Sequence, residues 1–322
     1  METDSFAEKI LPAGENYQSP EKITLSESRF GNKPEIIRAM GEGKIINVIG
    51  IEQLCPNIKP HANEVNVASI KHQNANQILG VQIQQGGNML QCVFKPYDGE
   101  NLRIKSDYGF QSFYPRECAA YMISEHFDLD IVPPTVIRNI NGQIGSLQLF
   151  LDHNYWQDYS QAFEQRKDEI RGNDDWQKIA VFDWILANCE RHGHNMMVRT
   201  TGDENELAAI DHGIILRSNH YFDVSLRGPS LSLTYNTKTQ TGKQEALPKN
   251  LLHKLKFGLE RKQDIDTQLR QLQGVTSQDV DQMWQRVKQT VKYRKFLSKM
   301  NFKEIIGTEW LSSELQHISY KK

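Results

Sequence analysis

The stretch ANCERHGHNMMV, residues 187–198, crowds Glu190, Arg191, His192, His194 and Asn195 between two apolar runs. Two chemistries fit these residue types. His192-x-His194 supplies imidazole nitrogens of the kind that ligate zinc. It supplies only two, and no third His or Cys stands nearby at metal-binding spacing. The other chemistry is phosphoryl transfer from ATP, which asks for little covalent help and much positioning. It needs a lysine on the phosphates, a carboxylate to orient that lysine, an acid for the acceptor hydroxyl, and an Asn and an Asp for divalent metal. The chain offers them in that order as Lys95, Glu117, Glu190, Asn195 and Asp211. Taken singly, each has a plain reading: Lys95 and Glu117 as a surface ion pair worth under about 1 kcal/mol, Asn195 as a turn cap, Asp211 as a strand end. Joint order and spacing favour the chemical reading.

The elements that must position these residues follow from local pattern. NVASI, QILGVQI and NMLQCVF read as short strands, with a hairpin at Gly86-Gly87. The third run ends in VFKP, which leaves Lys95 at a strand end. YPRECAAYMISEHF reads as a helix: Pro115 suits the first turn, Glu117 follows, and Cys118, Ala119, Met122 and Ile123 repeat at helical spacing. VPPTVIRNINGQIGSLQLFL gives two strands around Asn141-Gly142. DDWQKIAVFDWILANC is an apolar helix leading into the polar loop, and MMVRT and ELAAIDHG are strand-prone. From about residue 248 the chain is helical. TSQDVDQMWQRVKQTV opens with a capping pattern, Thr276 and Asp279, and carries the stripe Val280, Met283, Trp284, Val287 and Val291, read as core.

The bulk properties set the class. A chain of 322 residues, 38% hydrophobic and 24% charged with net charge −2, supports a sizeable core and gives no global push toward nucleic acid. Cys55, Cys92, Cys118 and Cys189 form no CxxC pair, and Cys92 and Cys118 lie in apolar segments, which points to reduced thiols. The acidic N-terminus lacks the pattern of a signal peptide, and no apolar run reaches the roughly 20 residues of a membrane span. The expectation is a cytoplasmic protein.

The segments VFKP, ECAAY, DLDIVPPT, GSLQLF, VFDWILANCERHGHN and AAIDHG resemble phosphoinositide 3/4-kinase-like atypical kinases, nearest to type II phosphatidylinositol 4-kinases. The step from Glu190 to Asn195 matches the kinase loop H-R-D-x-x-x-x-N. The resemblance spans about residues 65–220, and the same branch contains secreted bacterial effector kinases, including ones of Legionella, that act on proteins. It implies an α+β, bilobal protein-kinase-like fold with a small mainly β N-lobe, a mainly helical C-lobe and a helical C-terminal extension. The expected division is an irregular arm at 1–60, the N-lobe at 61–151, the C-lobe core with the catalytic loop at 152–247, and a basic helical region at 248–322. ATP with Mg²⁺ or Mn²⁺ would be the cofactors. Lys95 would contact phosphates and pair with Glu117, and backbone groups of Gln148, Leu149, Phe150 and Leu151 would face the adenine. Asn195 and Asp211 would hold metal, Glu190 would be the catalytic acid–base group, and His194 would lie near the phosphates. Arg191 and His192 would match the two residues after the catalytic aspartate in the D-R-H loop. For a secreted effector, the location would be a host cytosol or membrane surface.

Two departures stand out. Glu190 stands where the family has Asp, and one methylene moves the carboxylate by up to about 1.5 Å, enough to matter where misplacement near 1 Å costs on the order of 100-fold. A compensating backbone, a slow or activated enzyme, and a pseudokinase acting as a ligand-controlled binding module all stay open. The second departure is SIKHQNANQILG, which contains no GxGxxG, although Asn74, Ala75 and Asn76 suit a tight turn.

The acceptor is read as Ser or Thr of a protein, with a phosphoinositide as the alternative. The stretch after Asp211 has few cations, and its Ser225, Ser230, Ser232 and Thr234 are candidate autophosphorylation sites or ordinary loop residues. Arg286, Lys288, Lys292, Arg294, Lys295 and Lys299 form a run without acids, read either as a solvated face or as a site for an inositol polyphosphate or anionic membrane. Nucleic acid is disfavoured by the net charge.

Overall fold

Apolar residues at every second position build the first half of the molecule. The computed structural model describes residues 28–54 and 76–297, apart from 161, 163–168, 171–172, 203, 218–234, 237–240 and 243–244. These fall into two compact units, one drawing on residues 28–121, 133–154 and 271–274, the other on 122–132, 155–270 and 275–297.

The first unit opens with α1 (Lys33–Glu42), capped by Asn32, whose side chain accepts from Glu35 N. β1 (Lys44–Gly50) and the single turn α2 (Ile51–Leu54) follow. The island KIINVIGI of the expected arm is thus largely a strand. It pairs with β2 (Leu79–Gln85), which pairs in turn with β3 (Asn88–Pro96). After α3 (Leu102–Tyr108) and α4 (Tyr114–His126) come β4 (Thr135–Ile140) and β5 (Gln143–Leu149). The result is one antiparallel sheet in the order β1-β2-β3-β5-β4. Gly86 (φ +59°) makes the β2–β3 turn, and Asn141 and Gly142, both at positive φ, make the β4–β5 turn, as their sequences require.

One face of this sheet, with Val81, Ile83, Cys92, Phe94, Val136, Ile140 and Leu147, packs with Met40 of α1 into a core. Arg138 of β4 fixes the helix by donating to the carbonyls of Met40 and Gly43, each at 2.6 Å. Burial pushes the Cys92 thiol up to about 12, with Arg138 opposing, so it is an inert apolar residue. Because strand side chains alternate, Lys95 lies on the face opposite to Phe94.

In the second unit, β6 (Trp156–Asp158), β7 (Met196–Thr201) and β8 (Glu204–Ala209) form a small antiparallel sheet. Between β6 and β7 in the chain runs α5 (Asp174–Leu186), capped by Asn173 through Asp175 N. Its residues from Ile179 to Leu186 are all buried, as an almost wholly apolar helix demands. α6 (Lys249–Glu260), α7 (Gln263–Gln271) and α8 (Ser277–Tyr293) complete the unit. The Thr276–Asp279 capping box is present in both directions, and Val280, Met283, Trp284 and Val287 are buried, so the α8 stripe is core up to Val291, which is half-buried. The α+β class expected from the sequence holds. Among the described residues, no helix is long and apolar enough to cross a membrane.

One expectation fails on α8. Arg286 is fully buried and donates from Nε to the carbonyl of Ile185 at 2.8 Å. It lies three residues after Met283 and four before Thr290, both buried, so the helical period sets it beside the core stripe and not on a ligand-facing surface. Lys299, the candidate phosphosites Ser225 to Thr234, and Asn74 and Ala75 of the expected phosphate loop lie outside the described residues.

Candidate active site

In the first unit the candidate residues begin at the end of β3. Lys95 Nζ meets Glu117 Oε1 at 2.6 Å, with side-chain exposures of 18% and 3%. The carboxylate is buried and the ammonium nearly so, which excludes the plain surface pair. Removing one partner would leave a largely desolvated charge without this counter-ion. Glu117 is placed by α4, whose start is held by a residue that sequence reasoning missed. Glu100 Oε1 accepts from the backbone N–H of Phe113 and Tyr114, each at 2.8 Å, while Lys105 lies 3.3 Å from Oε2. A carboxylate at a helix N-terminus takes up donors that the helix itself leaves unused. Its separation of 13 and 14 residues from the N–H groups it binds hides it from any local capping pattern.

The four expected hinge residues differ in what they have left to offer. Leu149 N donates to Pro134 O at 2.8 Å and Phe150 N to Gln91 O at 3.0 Å. Gln148 Nε2 donates to Thr135 Oγ1 at 2.9 Å. Among the described residues, the Leu151 N–H donates to no acceptor, so it keeps a donor that Leu149 and Phe150 do not.

In the second unit the loop after α5 is tied down at almost every residue. Ala187 ends the helix in the left-handed region. Asn188 donates to Asp183 Oδ1 at 2.8 Å and accepts from Glu190 N at 3.0 Å. Asn195 donates from Nδ2 to Glu190 O at 2.9 Å, which leaves its Oδ1 as the atom with ligating capacity. Asn195 O in turn accepts from Ile210 N at 3.0 Å, joining the loop to the segment that carries Asp211. The carboxylates of Glu190 and Asp211 belong to exposed residues. Asp211 sits at φ +57°, a region that a residue with a side chain occupies at some cost.

Arg191 is fully buried and holds this arrangement together. Its Nε and Nη2 reach Asp183, which is also fully buried, at 3.1–3.2 Å. Its Nη1 donates to the carbonyls of Asn195 and Ile210, the latter at 2.9 Å, and its Nη2 reaches His212 Nε2 at 2.8 Å. An arginine only donates, so His212 accepts at Nε2 and carries its proton on Nδ1. Burial pushes the Asp183 carboxyl up, and Arg191 and Asn188 oppose it.

The two loop histidines do not form a zinc cage. His194 Nδ1 is bound to Asp158 Oδ2 at 2.8 Å, and Asp158 is itself fixed by Ser160 N at 2.7 Å. His192 is half-buried, and burial together with His194 lowers its pKa while Asp211 and Glu190 oppose. Gly193 lets Ser160 pack close between them, since a Cβ there would stand 2.1 Å from Ser160 Oγ and 3.2 Å from its Cβ and would force that side chain to move. Among the described residues no group of three or more His, Cys, Asp or Glu side chains assembles to hold a metal. A Mg²⁺ or Mn²⁺ bound by one carboxylate, one amide oxygen and substrate phosphates needs no such cage, and Asn195 Oδ1 and the Asp211 carboxylate are hard oxygen donors of the kind that would fit one.

Residues 111–269 match the family model for phosphatidylinositol 3- and 4-kinase. Over those residues the chain is similar to phosphatidylinositol 3- and 4-kinases. It is 32% identical over 135 residues to phosphatidylinositol 4-kinase gamma 4 of Oryza sativa subsp. japonica, covering 37% of this chain and 22% of that protein. It is 28% identical over 160 residues to Protein Rv2133c of Mycobacterium tuberculosis (strain ATCC 25618 / H37Rv), covering 41% of this chain and 56% of that protein. Similar solved structures are the Helicobacter pylori proinflammatory kinase CtkA (11% identity, TM-score 0.39, 73% of this chain and 95% of that one) and the Golgi casein kinase with Mn/ADP bound (12%, 0.46, 81% and 75%).

Proposed function

We propose that this protein is an ATP- and metal-dependent phosphotransferase whose acceptor is a Ser or Thr hydroxyl of a protein. The observation that carries the reading is the 2.6 Å pair of Lys95 with the buried Glu117, since phosphate binding is the task that such an oriented ammonium suits. Lys95 binds ATP phosphates, Leu151 N–H receives the adenine, and His194, oriented by Asp158, adds a hydrogen bond to the phosphates. Asn195 and Asp211 hold Mg²⁺ or Mn²⁺, which when bound neutralises charge on the phosphates. Glu190 accepts the proton of the attacking hydroxyl.

A protein acceptor is supported by residues 215–243, whose only cations are Arg217, Arg227, Lys238 and Lys243. Of these, Arg217 is buried against Cys189, at 3.5 Å from Sγ, and is no headgroup contact. A phosphoinositide acceptor is the second reading, favoured by the name of the rice relative. An inositol phosphate or anionic membrane would meet the exposed Lys288, Lys292 and Arg294 at the end of α8, without Arg286.

The test is transfer of label from γ-labelled ATP with Mg²⁺ or Mn²⁺, adding protein substrates, phosphatidylinositol vesicles or inositol hexakisphosphate. Label in protein that vanishes in Asp211→Ala supports the reading. Label only in lipid moves the acceptor to the second reading. Metal-dependent nucleotide binding without any transfer would make the protein a pseudokinase.

A further inference from the structure

We propose that Arg191 is the positioning residue that fixes the separation of the two metal ligands, Asn195 and Asp211. The inference rests on the phosphotransferase reading and concerns a residue that would touch neither nucleotide nor metal.

The geometry is specific to a guanidinium. All five of its N–H donors are used: Nε and one of Nη2 on Asp183, both of Nη1 on the carbonyls of Asn195 and Ile210, and the other of Nη2 on His212. One bond grips the peptide of the first ligand directly. Two others grip the residues immediately before and after the second ligand, Ile210 and His212. Asp211 is therefore clamped on both sides by a single side chain, at the residue where the backbone adopts the left-handed region. A strained conformation of this kind persists only where its surroundings determine it. Asp183 supplies the counter-charge and fixes the plane of the fork, and Asn188 fixes Asp183. The ring of His212 packs edge-on against Phe182 of the same helix, with centroids 5.7 Å apart, which sets its Nε2 toward Arg191.

Stability alone does not account for this group, because a buried ion pair is often no more stabilising than apolar residues of equal volume. A lysine would keep the charge but cannot span both carbonyls and a histidine from one plane. Groups that orient metal ligands from behind commonly change metal affinity by roughly 10–100-fold when altered.

The experiment measures binding of a fluorescent ADP analogue to the full chain while Mn²⁺ is titrated, with circular dichroism to confirm folding. Arg191→Lys is expected to move the Mn²⁺ midpoint upward by about 10–100-fold while leaving metal-free nucleotide binding within about twofold of wild type. A folded Arg191→Lys with an unshifted midpoint overturns the inference. Where Arg191→Lys does not fold, His212→Gln and His212→Leu decide. Gln retains an acceptor for Nη2 and should keep the wild-type midpoint, whereas Leu should raise it; equal midpoints in the two overturn the inference. A wild-type protein whose nucleotide binding ignores metal would instead overturn the phosphotransferase reading, and the inference with it.

Discussion

Asp183 and Arg191, eight residues apart, face each other wholly out of solvent, with both Nε and Nη2 of the arginine on the carboxylate. The pair links the last turn of α5 to the loop that follows, so the buried helix and the exposed candidate residues of the loop share one anchor.

That link predicts an asymmetric response to mutation. Arg191→Met alone strands the Asp183 charge and should cost about 3–5 kcal/mol. Adding Asp183→Leu removes the stranded charge and should recover much of the loss. Denaturant unfolding of both single variants and the double variant measures the coupling. Additive costs would mean that the two charges do not act as a unit.

The Lys95–Glu117 pair predicts a loss of function out of proportion to stability. Glu117→Gln keeps the volume but removes the charge that orients Lys95. Phosphoryl transfer should fall by roughly 100–1,000-fold, the scale for losing one preorganised electrostatic group. Nucleotide affinity and initial rates, measured together, check this; a rate within threefold of wild type would place the phosphate contact elsewhere.

What the sequence carried and what it hid divide along physical lines. Lys95, Glu117 and the hairpin turns at Gly86 and Asn141 were legible because strand alternation, helical period and positive-φ chemistry act over a few residues. Glu100, Asp158 and His212 were hidden because each acts on a partner more than ten residues away, which no local period reveals. Arg286 was misread because a run of cations looks like a surface, although its spacing from Met283 and Thr290 sets it in the core.

Glu100 should therefore behave as a remote support of the site. Glu100→Ala removes an acceptor shared by two N–H groups and leaves Lys105 without this carboxylate, at a cost of about 2 kcal/mol. The start of α4 should loosen, and with it the hold on Glu117, so ATP affinity should fall several-fold. Glu100→Gln keeps an acceptor and should lose less of both. Thermal unfolding and nucleotide titration of the two variants test the ordering, and equal effects would contradict it.

His126 predicts a pH dependence of stability. It donates from Nε2 to Gly258 O at 2.6 Å and packs against Phe127 and Trp284, and burial lowers its pKa below the ordinary histidine value. Arg261 lowers it further, while Asp264 and the Gly258 carbonyl oppose. The folded state thus favours the neutral ring. Its contribution is fully present above about pH 6.5, the unfolded value, and is lost as pH falls from there through the lowered folded pKa. Unfolding free energies of wild type and His126→Gln between pH 5 and 7.5 should diverge in slope only in that window. Parallel curves would assign the acid sensitivity to other groups.

Glu190 gives the sharpest prediction, because its backbone is fixed on both sides. Asn188 Oδ1 holds its N–H, and Asn195 Nδ2 holds its carbonyl. A shorter acid at this position cannot advance by moving the chain, so its carboxylate retreats by about 1.5 Å, one bond length. Glu190→Asp should then slow transfer by on the order of 100-fold, although Asp is the residue found in the family. Glu190→Gln removes the proton acceptor and should slow it further, by about 100–10,000-fold relative to wild type, with nucleotide binding retained. Single-turnover rates at saturating ATP separate these effects from binding. A faster Glu190→Asp enzyme would show that the loop geometry is built for the shorter acid and that the wild-type protein is held back by its own glutamate.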